Sequence, residues 1–118
     1  MVEERRRLSR VRCHLPVRLY PKGEAKVIET LTKDVSLGGL KCLSPSPKTI
    51  GTSVIVELDL GPGEMSVDLR GHVAWFQDLP ESDQFYLGLI FDEFHERTRQ
   101  RLSRYLDRIA TLIPTLKS

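Results

Sequence analysis

Val54-Ile55-Val56-Glu57-Leu58-Asp59-Leu60 runs into Gly61-Pro62-Gly63-Glu64, and two residues later comes Val67-Asp68-Leu69-Arg70-Gly71-His72-Val73-Ala74-Trp75. The first run sets Val54, Val56, Leu58 and Leu60 against Ile55, Glu57 and Asp59, the two-residue period of a half-buried strand. The Gly-Pro-Gly cluster reads as a hairpin-type connection. In the second run Val67, Leu69, Val73 and Trp75 share one face, and Gly71 is expected to supply a bend or bulge at their centre. Two alternating strands joined this closely argue for an antiparallel sheet.

The same alternation continues outward. Phe85, Leu87, Leu89 and Phe91 alternate with Tyr86, Gly88 and Ile90 as a last strand, after a polar loop over Asp78–Asp83. Upstream, a first strand begins near Cys13 and ends at Val17–Tyr20, admitting Pro16 only at an edge or bulge. Pro21-Lys22-Gly23-Glu24 is a turn. Ala25–Lys33 reads as a strand, with Val27, Leu31 and Val35 spaced four apart. Ser36-Leu37-Gly38-Gly39 breaks it, Leu40–Leu43 is a short strand, and Pro45 and Pro47 mark a loop.

After Asp92 the period changes. Leu102, Leu106, Ile109 and Ile113 fall on one helical face, with Tyr105 and Leu112 beside them. Glu93 and Glu96 suit the positive end of a helix, and Pro114 is expected to end it, giving a helix over about 93–113. The chain therefore reads as all-β-dominated. About six antiparallel strands form a small barrel or sandwich, and one C-terminal amphipathic helix packs over an opening.

A length of 118 residues suits one domain, and 40% hydrophobic with 29% charged residues is the composition of a soluble globular protein. No apolar run approaches the ~20 residues of a membrane span. The N-terminus is charged from Glu3 onward without an apolar secretory core, so the expected location is cytoplasmic. The net charge of +2 hides segregation: residues 1–50 carry 11 basic and 5 acidic side chains, and residues 51–92 carry one basic and 8 acidic. An anionic ligand belongs on the N-terminal third, while Asp59, Glu64, Asp78, Glu81 and Asp83 read as solubilising loop residues. Cys13 and Cys42 read as buried thiols. A Cys13–His14 metal site is not expected, since zinc needs four placed ligands. No nucleophile–base pair, paired-carboxylate motif or metal spacing stands out, which favours a binding module over an enzyme.

Two short motifs bear on function. Arg5-Arg6-Arg7-Leu8-Ser9-Arg10 contains R-x-x-x-R at Arg6 and Arg10, and Asp34-Val35-Ser36-Leu37-Gly38-Gly39 reads D-x-S-x-x-G. Alone, the first is a solvated basic tail and the second is ordinary turn chemistry, with glycines to supply positive φ. In this order and at this separation they resemble the signature of the PilZ domain, a bacterial receptor family for cyclic di-GMP. The resemblance extends to the Gly71–Trp75 strand, the Leu87–Phe91 strand and the C-terminal helix, and it implies a six-stranded antiparallel barrel. It divides the chain into an arginine-rich ligand-binding tail over 1–12, mobile when empty, and a barrel domain with its helix over 13–118.

Cyclic di-GMP presents two phosphates and two guanines. Arginine serves both, because its planar fork pairs with guanine O6 and N7 and its face stacks on a purine. A carboxylate accepts guanine N1–H and the exocyclic amine, and a hydroxyl donates or accepts. The resemblance assigns ligand contact to Arg6 and Arg10 in the first motif and to Asp34, Ser36, Gly38 and Gly39 in the second. Arg5 is added as a neighbouring guanidinium, and Arg7 and Trp75 are secondary candidates. Trp75 alternates in phase with Leu69 and Val73, so its first reading is core, as for Phe76, Phe85 and Phe91. Extra guanidiniums at Arg5 and Arg7 suit an intercalated ligand dimer. No cofactor beyond that ligand is implied, and an unidentified protein partner would read the ordered tail. The competing readings are a ligand-independent protein-interaction adaptor, with the basic helix from Arg97 to Arg108 as its surface, and a small nucleic-acid-binding barrel. Adaptor variants typically lack one of the two motifs, and the acidic central strands argue against nucleic acid.

Overall fold

The computed structural model describes residues 10–117, with side chains described over residues 10–110. Among the described residues, seven strands precede one helix: β1 (Val11–Arg12), β2 (Pro16–Pro21), β3 (Ile28–Val35), β4 (Gly39–Ser44), β5 (Ser53–Leu58), β6 (Val67–Asp78), β7 (Phe85–Phe91) and α1 (Glu96–Lys117). All pairings are antiparallel, in the order β1-β3-β2-β5-β6-β7-β4, and a β3–β4 pairing closes β2–β7 into a six-stranded barrel. Closure leaves no long open edge to pair with another chain.

The first strand is interrupted. β2 pairs with β3 along Ile28–Leu31, and β1 resumes on the same edge against Asp34 and Val35. Thr32, fully buried, stitches the gap: its hydroxyl donates to the Cys13 carbonyl at 2.5 Å and accepts from Leu15 N–H at 2.9 Å. Pro16 stands as the first residue of β2, where a missing N–H is tolerated.

Two bulges change the parity of the sheet. In β3 the register shifts between Thr32 and Asp34, so Ile28, Thr32 and Val35 point inward while Val27 and Leu31 are exposed. The spacing of Val27, Leu31 and Val35 therefore does not mark one face, and the strand runs Ile28–Val35 rather than Ala25–Lys33. In β6 the shift falls between Val73 and Trp75, not at Gly71. Gly71 instead allows close strand approach, since a Cβ there would lie 2.6 Å from the Ile90 carbonyl oxygen. Trp75 is thereby turned out, 36% exposed, and Phe76 at the barrel rim is 44% exposed, so neither is core. Phe85 meets Phe76 edge-on at 6.4 Å, while Phe91 is buried as expected.

Val17, Leu19, Leu40, Cys42, Val56, Leu58, Leu69, Val73, Leu87 and Leu89 fill the barrel. Leu102 and Leu106 of α1 plug one opening, with Phe94 and Tyr105 packed beside them. His95 starts the helix: its Nδ1 accepts from Arg97 N–H at 3.3 Å, which satisfies one free donor of the first turn. Glu96 lies in that first turn, whereas Glu93 precedes it. The helix continues through Pro114 to Lys117: the proline falls in its last turn, where it removes one backbone hydrogen bond without ending the helix. Among the described residues, no helix is long and apolar enough to cross a membrane.

Candidate functional site

The break after β3 is built by Ser36. Its Oγ accepts the Gly38 and Gly39 N–H groups at 3.1 and 3.2 Å and donates to the Gly39 carbonyl at 3.3 Å, while Ser36 N–H donates to that same carbonyl at 2.8 Å. Only 2% exposed, the serine organises the turn from inside. Phe91 N–H donates to the Gly38 carbonyl at 2.8 Å and ties the turn to β7. Neither glycine has positive φ. Gly39 is required by proximity: a Cβ there would overlap the Leu89 carbonyl oxygen.

Asp34 faces the other way. Continued alternation from Ile28 and Thr32 would have carried it into the barrel. The β3 bulge turns it to the outer wall instead, its side chain 15% exposed. Bulges re-aim side chains in this way next to functional sites. β1 then delivers the arginine segment to it: Arg12 pairs with Asp34 in register, and Arg10 Nη1 donates to Asp34 Oδ1 at 2.7 Å. The two sequence motifs thus meet through a charge-assisted bond between residues 24 apart.

The outer wall continues across three more strands. Lys41 on β4 is the register partner of Asp34, Gly88 on β7 is the partner of Lys41, and Trp75 on β6 is the partner of Gly88. Lys41 Nζ stands 3.8 Å from Asp34 Oδ2 and 4.8 Å from the centre of the Tyr86 ring. The Trp75 indole lies across Gly88, where a Cβ would overlap the ring. A carboxylate, two cations and an aromatic plate therefore stand side by side on one exterior face. Beneath it, burial pushes the Cys13 thiol up; a hydrogen bond with Thr32 lowers it in part and the Asp34 charge adds to the rise. The thiol donates to the Val11 carbonyl at 3.5 Å, and His14 Nδ1 lies 3.2 Å from the Thr32 carbonyl oxygen, so both side chains have backbone partners.

Of the residues singled out by sequence, the structure brings Arg10, Asp34 and the Ser36–Gly39 turn together and sets Trp75 on the same wall. Arg5, Arg6 and Arg7 lie outside the described residues. Lys41, Tyr86 and Gly88 were missed. Alternation with Leu40 and Cys42 marks Lys41 as outward, but nothing local pairs it with Tyr86. The basic helix is partly spent on the fold: Arg101 donates to the Met65 and Ser66 carbonyls, and Arg108 pairs with Glu64 at 3.3 Å.

A model of the PilZ domain family matches residues 4–108. The chain is similar to the PilZ domain of YcgR from Escherichia coli, whose structure was solved with c-di-GMP, at 14% identity and a TM-score of 0.75, covering 96% of this chain and 97% of that one. It is similar to the Bacillus subtilis inhibitor of motility MotI (DgrA) at 22% identity and a TM-score of 0.74, covering 88% of this chain and 50% of that one, so it spans about half the length of MotI. The PilZ domain of CeSA from a cellulose-synthesizing bacterium follows at 17% identity and a TM-score of 0.59, covering 87% and 96%. No curated protein sequence matches significantly. These identities speak for the fold; the family match, running over all but the two ends of the chain, carries the assignment, and the chain belongs to the PilZ domain family.

Proposed function

We propose that this chain is a cyclic di-GMP receptor, a binding module rather than an enzyme, that signals through the path of its arginine segment. The observation that carries this reading is the Arg10–Asp34 bond at 2.7 Å, which joins the two motifs on an exposed wall. Asp34 Oδ2, with Lys41 no nearer than 3.8 Å, is available to a guanine N1–H and exocyclic amine. Arg10 stands where its fork reaches the same base or a phosphate, and the outward face of Trp75 offers a stacking surface. Ser36, Gly38 and Gly39 hold the floor of the site. Arg5, Arg6 and Arg7 supply further guanidiniums from the N-terminal side and suit an intercalated ligand dimer. Each backbone residue fixed on binding costs about 1–2 kcal/mol, which the charge-assisted bonds must exceed. A partner protein reads the liganded surface.

The test is isothermal titration of cyclic di-GMP into the protein, with GMP as control. Micromolar or tighter binding at two nucleotides per chain is expected. A ratio of one removes the dimer but keeps the receptor. No heat and no shift in melting temperature would move the function to a ligand-independent adaptor.

A further inference from the structure

We propose that Lys41 is a further cation of the ligand site, held over Tyr86 throughout and passed from Asp34 to a ligand phosphate on binding. The inference rests on the cyclic di-GMP reading above.

The geometry is specific. Lys41 lies between the two features that recognise bases: Asp34 on one neighbouring strand, and Gly88 with its indole cover on the other side. Strand spacing of about 4.8 Å puts β3 and β6 roughly 14 Å apart across this wall. A nucleotide with a base on Asp34 and its sugar-phosphate ring directed toward Trp75 therefore passes over Lys41.

The charge balance favours the transfer. Among the described residues Asp34 has two cationic neighbours, Arg10 at 2.7 Å and Lys41 at 3.8 Å. The first is a direct hydrogen bond and the second is only an ion pair at arm's length. A guanine that takes Oδ2 competes with Lys41 and not with Arg10. The released ammonium keeps its place because the Tyr86 ring lies beneath it at 4.8 Å. Tyr86 thus limits how much side-chain entropy the lysine loses when it meets the phosphate. The lysine side chain is about a third exposed, at 32%, so the transfer needs no rearrangement of the core.

The test compares titrations of wild type, Lys41→Met and Lys41→Arg with cyclic di-GMP across a series of NaCl concentrations. Melting temperatures are measured beside them. Lys41→Met keeps the aliphatic stem and removes the charge. It is expected to bind about tenfold more weakly, the size of one charge-assisted bond, and to lose part of the salt dependence. Lys41→Arg is expected to stay near wild type, and both melting temperatures should hold. Tyr86→Phe should bind like wild type and Tyr86→Ala about threefold more weakly. Equal affinity for wild type and Lys41→Met overturns the assignment, as does a weaker Lys41→Met with an unchanged salt dependence, which would make the lysine structural. No binding by the wild type overturns the receptor reading itself, and the role of Lys41 with it.

Discussion

Arg10 meets Asp34 on one side of the barrel, and Arg108 meets Glu64 beside the helix. Both pairs tie a terminal segment to the barrel, and both arginines stand in stretches that are basic by sequence. Around Glu64 the groups satisfy one another: Arg108 lies at 3.3 Å, Arg101 at 3.8 Å, and Arg101 also donates to the Met65 and Ser66 carbonyls. Around Asp34 one oxygen is bonded, the other faces a lysine at arm's length, and an exposed indole lies along the same wall. The first arrangement braces α1 against the β5–β6 loop. The second leaves an oxygen, a cation and an aromatic face to offer. Basicity alone does not separate the two; the residual bonding capacity does.

The largest expected effect lies on the helix side. Leu102→Ala empties a fully buried position and should cost about 2–5 kcal/mol of stability by denaturant titration. The affinity of the remaining folded protein for cyclic di-GMP should not change; a parallel loss of affinity would break the comparison by coupling the two sides. Arg10→Ala should do the reverse. It should weaken cyclic di-GMP binding about a hundredfold, near 2.8 kcal/mol, and cost stability about 1 kcal/mol, since Lys41 stays beside the half-buried Asp34.

The core between the two sides gives a pH test. Burial pushes the Cys42 thiol up to about 12 from an ordinary 9.0, so the native state keeps a proton that the unfolded chain loses. Its contribution is whole below pH 9.0 and is lost as the pH rises toward 12, at no more than about 1.4 kcal/mol per pH unit. Cys42→Ser should flatten that alkaline slope in a pH series of denaturant midpoints. Gly88→Ala should displace the Trp75 indole at a stability cost of about 1 kcal/mol and weaken ligand binding severalfold, seen also as a shifted tryptophan emission. Glu64→Gln should have the smallest effect. Its pairs are partly exposed, so under about 1 kcal/mol of stability and no affinity should be lost.

Much of this was legible in the chain. Local alternation marked the strands of the Val54–Trp75 region and the Phe85–Phe91 strand, since side-chain parity and turn glycines act over a few residues. The change of period after Asp92 marked the helix, although neither its start nor its passage through Pro114 could be read from acids and proline alone. The two motifs pointed to Arg10, Asp34 and the Ser36–Gly39 turn before any contact between them was visible.

The sequence by itself determined the strand content, the amphipathic helix and the residue types of the two motifs. Only the tertiary structure decided which way the decisive side chains point. Unbroken alternation from the buried Ile28 and Thr32 would send Asp34 inward, although the Val27, Leu31 and Val35 spacing in the sequence points it outward, and alternation in β6 would send Trp75 inward with Val73. One bulge in β3 and one in β6 turn both to the outer wall. A bulge is a mismatch between two strands, set by closing six strands into one barrel, and it leaves no mark in the alternation of either strand read alone. The same closure brings Lys41 over Tyr86 and lays the Trp75 ring across Gly88, pairings between residues that no local pattern connects.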